Sequence, residues 1–177
     1  MATKYSIREI SQLHKRDVFV DTNVLIYLFW PIGDPKWENI YASVYAKLLK
    51  QHNSLYVDFL VISEVVNRAF KTVYEKQKIS GNTLNYKQFR NSEEGQVVLS
   101  EVYIIVEHQI LQQFDVIGNT FSKTDILRCL TVDSLDFMDK GILKICQDNG
   151  FVLLTNDKDF KDSDIDILTC NSDILNN

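Results

Sequence analysis

The sequence predicts an α/β fold with a central, mainly parallel sheet, and two observations lead to this expectation. Short apolar runs typical of strands alternate with longer segments whose apolar residues recur at helical spacing. Acidic residues also follow two of these runs: Asp21 comes directly after residues 18–20, and Asp157 comes shortly after residues 151–154. Because the carboxyl ends of parallel strands border the ligand crevice of an open sheet, these acids are candidates for a functional site.

The first predicted elements lie on either side of Asp21. Residues 5–14 are predicted as a short helix, residues 17–20 as the first strand, and residues 22–29 as a helix. This helix ends where the segment 31–35 supplies two prolines and a glycine. A second amphipathic helix is predicted at residues 37–52, with apolar side chains along one side.

A long helix is predicted next. Residues 55–57 form a short strand, and Asp58 caps a helix that reaches the mid-70s. Apolar residues between 62 and 73 follow helical spacing, and Gly81 breaks the pattern.

The rest of the chain continues the alternation. Residues 71–130 are predicted to be mostly helical and to pack at one edge of the fold. Residues 136–149 form a helix that Asn149-Gly150 ends. The remaining predicted elements are helices at 95–112 and 123–130 and strands at 114–117, 151–154 and 165–169.

Composition places the chain among ordinary globular proteins. Its 177 residues, 45% of them apolar, suit a single domain spanning residues 1–177. The N-terminus lacks an apolar signal core, and no apolar run approaches the ~20 residues of a membrane span. Three widely spaced cysteines without a CxxC pair are expected to be reduced thiols, two of them packed, in a cytoplasmic protein.

The net charge of −5 argues against nucleic-acid binding, but the charges are unevenly distributed. The segment Arg68–Arg90 carries six basic residues and one acid, whereas residues 131–177 carry ten aspartates and four lysines. The basic segment either binds a phosphate backbone or forms a solvated helix face, and composition leaves both interpretations open.

Taken singly, each candidate acid has a structural explanation. Asp21 can be a helix N-cap, and Asp157 can be a turn residue. Asp136 and Asp139 can complement the dipole at a helix N-terminus. Glu64 falls opposite the apolar stripe of its helix, so the pattern alone predicts a solvated side chain. Together, carboxylates without histidine or thiolate partners would form an oxygen site of the kind that Mg²⁺ or Mn²⁺ prefers.

Four short motifs, in order and spacing, resemble the PIN-domain family. They are Asp21-Thr22-Asn23 after a strand, Ser63-Glu64 on the third helix, Asp139 eleven residues before Gly150, and Thr155-Asn156-Asp157 after the next strand. The resemblance covers most of the chain and implies a three-layer sandwich, with a central parallel sheet and helices on both faces. Residues 71–122 exceed what a minimal member needs and are expected to form an enlarged helical region.

The resemblance also implies an activity and a set of residues. Many prokaryotic members are Mg²⁺- or Mn²⁺-dependent endoribonucleases, and many of those are toxins of type II toxin–antitoxin pairs. By motif, Asp21, Glu64, Asp139 and Asp157 would be the catalytic, metal-binding acids. The supporting residues would be Asn23 and Thr155, which would orient a carboxylate or water, and Asp136, an additional or substitute acid.

The hypothesis is hydrolysis of RNA by a metal-activated water without a covalent enzyme intermediate. The implied partners are RNA, a small antitoxin protein and a second copy of the chain in a homodimer formed through an apolar helical surface. Candidate RNA-binding residues are Arg68, Lys71, Lys76 and Lys78. The alternatives are a PIN-fold module that binds RNA or protein without cleaving it, and a metal-dependent DNA nuclease.

Other chemistries have little support in the sequence. The three histidines lie outside the acidic motifs and are expected at the surface, which argues against a histidine base or a zinc site. Neither a glycine-rich phosphate loop nor GxSxG is present. An aspartyl-nucleophile phosphatase would carry a second acid two residues after the first, where this chain has Asn23.

Overall fold

Six short parallel strands form the centre of the molecule. The computed structural model describes residues 2–30 and 35–176. The strands are arranged in the order β1-β6-β5-β2-β3-β4, and every neighbouring pair is parallel. Their bounds are β1 Lys4–Ser6, β2 Val18–Val20, β3 Leu55–Asp58, β4 Asp115–Ile117, β5 Val152–Leu154 and β6 Ile167–Thr169. The α/β prediction with a mainly parallel sheet is confirmed.

Helices cover the sheet. Strands β2, β5 and β6 are buried along their whole length, as expected when both faces of a parallel sheet are covered. The α-helices are α1 Thr22–Phe29, α2 Pro35–Lys50, α3 Phe59–Ile79, α4 Tyr86–Asn91, α5 Glu93–Ile105, α6 Lys123–Cys129, α7 Phe137–Asn149 and α8 Ser172–Leu175. Short 3₁₀ turns occupy Ile10–Leu13 and Lys158–Asp162. Among the described helices, none combines the length and apolar character that a membrane crossing requires.

The predicted N-terminal helix at residues 5–14 is wrong. Residues Lys4–Ser6 instead form edge strand β1, in which Tyr5 pairs with Leu168 of β6, and only Ile10–Leu13 are helical, as a 3₁₀ turn. Local spacing cannot reveal this strand because its partner lies more than 150 residues away. The buried pair Ile10 and Leu13 has the three-residue spacing of a 3₁₀ turn.

Other boundaries shift by smaller amounts. The helix predicted at 37–52 begins at Pro35, a residue whose fixed φ suits a first helical position, and ends at Lys50. The helix predicted at 95–112 begins at Glu93 and passes into a π-helical turn at Val106–Ile110. Of the residues expected to end α1, those at 31–34 lie outside the described part of the chain.

The expected helical region at 71–122 has its own small core. It contains the second half of α3, then α4 and α5, and it returns to the sheet as edge strand β4. Phe70, Phe89 and Leu99 are buried together, with the rings of Phe70 and Phe89 5.5 Å apart. The region is therefore a helical extension built on the outer part of α3.

Cysteines and histidines lie where the composition predicts them. Cys129 and Cys146 are buried, Cys170 is half-buried, and all three are free thiols. His14, His52 and His108 are exposed.

Candidate active site

The strand order of the sheet reverses between the neighbouring strands β2 and β5. Asp21 lies at this topological switch point. From β2 the chain adds β3 and β4 on one side, whereas β5 and β6 extend the other side. Val20 pairs with Leu154, and the Asp21 amide donates to the Leu154 carbonyl over 3.1 Å. The segments that follow β2 and β5 therefore meet where ligands bind in open α/β sheets.

Asp21 occupies an N-cap position but does not cap the helix with its side chain. The residue precedes α1 and is buried, yet its carboxylate accepts no capping hydrogen bond. Its Oδ2 atom instead accepts from the Thr155 hydroxyl over 2.6 Å and from the Asn23 amide over 2.5 Å. Two polar side chains thus hold a buried carboxylate in one orientation.

Thr155 and Asn23 also tie the two segments together. Thr155 is fully buried, and its Oγ1 accepts from the Asp157 backbone amide over 2.9 Å and from Asn23 Nδ2 over 3.2 Å. Asn23 Oδ1 in turn accepts from the Asn156 amide over 3.2 Å. These contacts couple the position of Asp157 to that of Asp21.

Glu64 is not the solvated side chain that the helical pattern predicts. It is half-buried on α3, and its Oε2 accepts from the Thr22 hydroxyl over 2.7 Å. Arg68, one turn further along α3, lies 3.7 Å from Oε1. The pattern failed because it scores α3 alone, whereas the partner of Glu64 comes from the first turn of α1.

Asp136 and Asp139 form a capping box at the start of α7. Asp136 Oδ1 accepts from the Asp139 amide over 2.8 Å, and Asp139 Oδ2 accepts from the Asp136 amide over 3.3 Å. Asp136 is exposed and Asp139 is half-buried. The capping box fixes the first turn of α7 and with it the backbone position of Asp139.

Asp157 combines a turn role with a place near the other acids. Its Oδ1 accepts from the Asp159 amide over 3.0 Å and starts the 3₁₀ turn. The carboxylate also contributes to the electrostatic field at Asp21 and at Asp139. The turn interpretation of Asp157 is therefore compatible with a place in an acidic site.

The pKa values of two acids show that the carboxylates share one electrostatic environment. Burial raises the pKa of Asp21 to about 6, with the charges of Glu64 and Asp157 adding to the rise. Burial raises the pKa of Asp139 to about 7, with further contributions from Asp136, Asp21 and Asp157. Hydrogen bonds from Thr155 and Thr22 to Asp21 oppose the effect of burial.

The donor set suits a hard divalent cation. It consists of carboxylate oxygens with hydroxyl and amide support, and it contains neither imidazole nor thiolate. Across residues 2–30 and 35–176, however, no three acidic, histidine or cysteine side chains converge closely enough to hold one ion. Because like charges repel, such carboxylates can converge around a common point only when a cation or a proton offsets their repulsion.

The predicted RNA-binding residues are spread along α3. Arg68 lies at the acidic site beside Glu64, and Lys71 pairs with Glu75 over 3.8 Å. Lys76 and Lys78 lie in the last turn of α3, which the rise of an α-helix places about 18–21 Å from Glu64. Of these residues, only Arg68 borders the acidic site directly.

Sequence reasoning missed two side chains that shape this site. The sequence motif Asp21-Thr22-Asn23 gives Thr22 no role of its own, yet its hydroxyl donates to Glu64. Tyr41 is buried on α2, and its hydroxyl lies 3.1 Å from the Thr155 carbonyl oxygen and 3.0 Å from Asn156 Oδ1. The only sequence signal for Tyr41 is its place on the apolar side of α2, which does not distinguish it from an ordinary core residue.

The solved structures that resemble this fold include two of low sequence identity. PAE2754 from Pyrobaculum aerophilum is 18% identical, with 92% of this chain and 89% of that chain aligned and a TM-score of 0.51. VapBC2 from Rickettsia felis, bound to a DNA fragment from its promoter, is 15% identical, with 86% and 97% aligned and a TM-score of 0.46. The first similarity concerns the fold alone, and the second is too distant to support an inference. No curated protein matches the chain significantly.

The sequence also matches a protein-family model. The PIN domain model aligns with residues 18–165, from the first residue of β2 to just before β6. The aligned region includes Asp21, Glu64, Asp139 and Asp157. The chain therefore belongs to the PIN-domain family, whose members are in general nucleases.

Proposed function

We propose that the protein is a Mg²⁺- or Mn²⁺-dependent endoribonuclease that hydrolyses RNA phosphodiester bonds with a metal-activated water. The observation that carries the proposal is the buried Asp21 carboxylate at the switch point of the sheet, which Thr155 and Asn23 hold in one orientation and on which the charges of Glu64 and Asp157 act. Burial, together with neighbouring negative charges, raises the pKa values of Asp21 and Asp139, and a bound divalent cation would oppose that rise.

The four acids would be the metal ligands, and their neighbours would orient them. Thr155 and Asn23 hold Oδ2 of Asp21, which leaves Oδ1 outside that pair of contacts. Thr22 holds Oε2 of Glu64, and the capping box with Asp136 positions Asp139. A bound Mg²⁺ or Mn²⁺ ion supplies charge that neutralises the phosphate and lowers the pKa of a water molecule.

The decisive experiment compares Asp21→Asn with the unchanged protein. The exchange keeps an oxygen that can accept from Thr155 but removes the negative charge from the centre of the site. Cleavage of single-stranded RNA in Mn²⁺ should fall by at least about 100-fold, by analogy with the loss of other charge-stabilising groups. The matched control is Asp17→Asn, at an exposed aspartate just before β2, which should cleave normally.

Two outcomes of this assay would change the proposal. Undiminished cleavage by a folded Asp21→Asn protein would end it. Cleavage of a DNA strand of the same sequence, without cleavage of RNA, would instead favour the DNA nuclease.

No three acidic, histidine or cysteine side chains of the described residues converge, and this favours one alternative, a PIN-fold module that binds RNA or protein without cleaving it. Thermal unfolding in millimolar Mn²⁺ separates the two, because a ligand that binds only the native state must raise stability. A higher midpoint in Mn²⁺, lost in Asp21→Asn, supports the nuclease. Unchanged stability together with uncleaved RNA supports the binding module.

A partner protein and a biological role follow from the proposed activity. We propose a small antitoxin as partner and toxin activity in the cytoplasm as the biological role, because toxins are frequent among prokaryotic PIN domains and the chain forms one compact domain. Growth that is unaffected by expression of an RNA-cleaving protein would contradict the toxin role.

A further inference from the structure

An open pocket lies directly beside the acidic site. Its volume is about 330 Å³, at the small end of the ~300–1,000 Å³ range of ligand pockets. Asn23 and Asp157 belong both to this pocket and to the acidic site, so the two spaces are continuous. A ligand in the pocket would therefore be adjacent to anything bound among the acids.

Two cations from distant parts of the chain line this pocket. Arg68 comes from α3, and Lys158 comes from the turn after β5. Lys158 is exposed and forms no ion pair with any residue that the structure describes. Arg68 is about half exposed, at 49%, and its contact with Glu64 is a loose one of 3.7 Å. Both side chains are thus available to an anion.

The remaining wall of the pocket is polar, and its side chains are hydrogen-bonded. Tyr27 stacks on Tyr41 with ring centroids 5.5 Å apart, and its hydroxyl accepts from Asn156 over 3.3 Å. The Tyr27 oxygen is therefore fixed in place, while its own O–H proton can be donated into the pocket. Asn171 closes the wall, with its amide donating to the Asn156 carbonyl over 2.8 Å.

We propose that this pocket binds the phosphate group next to the scissile one in a single-stranded RNA, with Arg68 and Lys158 as the charged donors and Tyr27 as a neutral donor. The assignment rests on the proposed ribonuclease function. The acids repel a phosphate backbone, so a strand that enters the site needs positive charge immediately beside them. Arginine, lysine and tyrosine are common donors to backbone phosphates, and such contacts fix register rather than base sequence.

The test measures binding of a labelled single-stranded RNA oligonucleotide by the Asp21→Asn protein, which prevents cleavage during the measurement. Adding Lys158→Met should weaken binding about 5-fold at low salt. It should also reduce the slope of log K against log salt by about 0.7, the value for one phosphate contact on a single strand. Lys158→Arg should restore the slope.

The matched control is Lys161→Met, on the same 3₁₀ turn. Lys161 is exposed, lies 4.0 Å from Asp162 and does not line the pocket. Its replacement should leave the salt slope unchanged. Arg68→Gln, compared with Arg90→Gln on α4, provides the same test for the second cation, since Arg90 is exposed and outside the pocket.

The outcomes separate this proposal from the proposed activity. If the unchanged protein cleaves RNA but Lys158→Met and Arg68→Gln keep the full salt slope, the phosphate site is wrong and the nuclease stands. If RNA is bound with the predicted slopes but never cleaved, the phosphate site stands and the nuclease fails. Absence of any RNA binding by the Asp21→Asn protein would overturn the phosphate site.

Discussion

At the scale of single residues, the orientation and the burial of the Asp21 carboxylate are the main features of the site. Its position after a strand and before a helix is that of an ordinary cap, but its carboxylate is turned toward Thr155 and Asn23 instead. Burying this carboxylate, which caps no helix and whose pKa is raised to about 6, lowers the stability of the folded chain. Its presence therefore indicates a role in function.

Asp139 should make the metal-free protein less stable as pH rises. Its pKa of about 7 in the folded chain lies above its ordinary value of 3.8, so the native state binds more protons than the unfolded state between these values. The free energy of unfolding should therefore decrease as pH increases through this window. Asp139→Asn should flatten the decrease and stabilise the metal-free protein above pH ~7 by about 1–2 kcal/mol, since the group is only half buried.

Urea unfolding across the pH range, with a chelator present, measures this difference. Asp115→Asn, at an exposed residue of edge strand β4, is the control and should leave the pH profile parallel to that of the unchanged protein. If the free energy of unfolding of Asp139→Asn also changed with pH in parallel with that of the unchanged protein, Asp139 would not be the source of the predicted pH dependence.

At the scale of elements, the alternation of strands and helices could be predicted because it is encoded in local spacing. Strand β1 could not, because only its pairing with β6 defines it. The place of Glu64 depends on Thr22, which comes from another helix, so a helical wheel of α3 could not assign it. The pocket that joins Arg68 to Lys158 depends on α3 and the β5 turn meeting in space, which no local pattern reports.

The coupling of β2 to β5 through Thr155 gives a prediction at this scale. Thr155→Val keeps the shape of the side chain but removes the hydroxyl that donates to Asp21 and accepts from the Asp157 amide. Because buried polar groups then lose a partner, stability should fall by about 1–3 kcal/mol. RNA cleavage in Mn²⁺ should fall by at least about 10-fold, since both acids lose their support.

Thr155→Ser is the matched control for this exchange. It keeps the hydroxyl, so most of the activity should remain even if the lost methyl group lowers stability. Equal cleavage by Thr155→Val and the unchanged protein would mean that Thr155 does not position the acids.

At the scale of the whole molecule, one exposed apolar surface lies near α6 and the start of α7. Leu127 is 57% exposed, Leu130 62%, Val132 102% and Phe137 55%. Beside them, an apolar pocket of about 200 Å³ is lined in part by Leu60, Ile126 and Phe137. Exposed apolar surface of this kind marks sites of protein association, and we take it as the surface of the expected homodimer.

A charge placed on this surface should therefore separate the two copies. Leu127→Glu should convert a dimer to a monomer in light scattering coupled to gel filtration, while Val97→Glu should not. Val97 is similarly exposed, at 55%, but lies on α5. A dimer that survives Leu127→Glu, or an unchanged protein that is already monomeric, would contradict this assignment.

The central claim is that Asp21, Glu64, Asp139 and Asp157 form one metal site. The most direct test is a crystal soaked in Mn²⁺ and measured for anomalous scattering. We expect anomalous density among the four acids, with the carboxylates drawn closer together than in the metal-free chain. A fully soaked crystal with no density among these acids, or with manganese only elsewhere, would contradict the account.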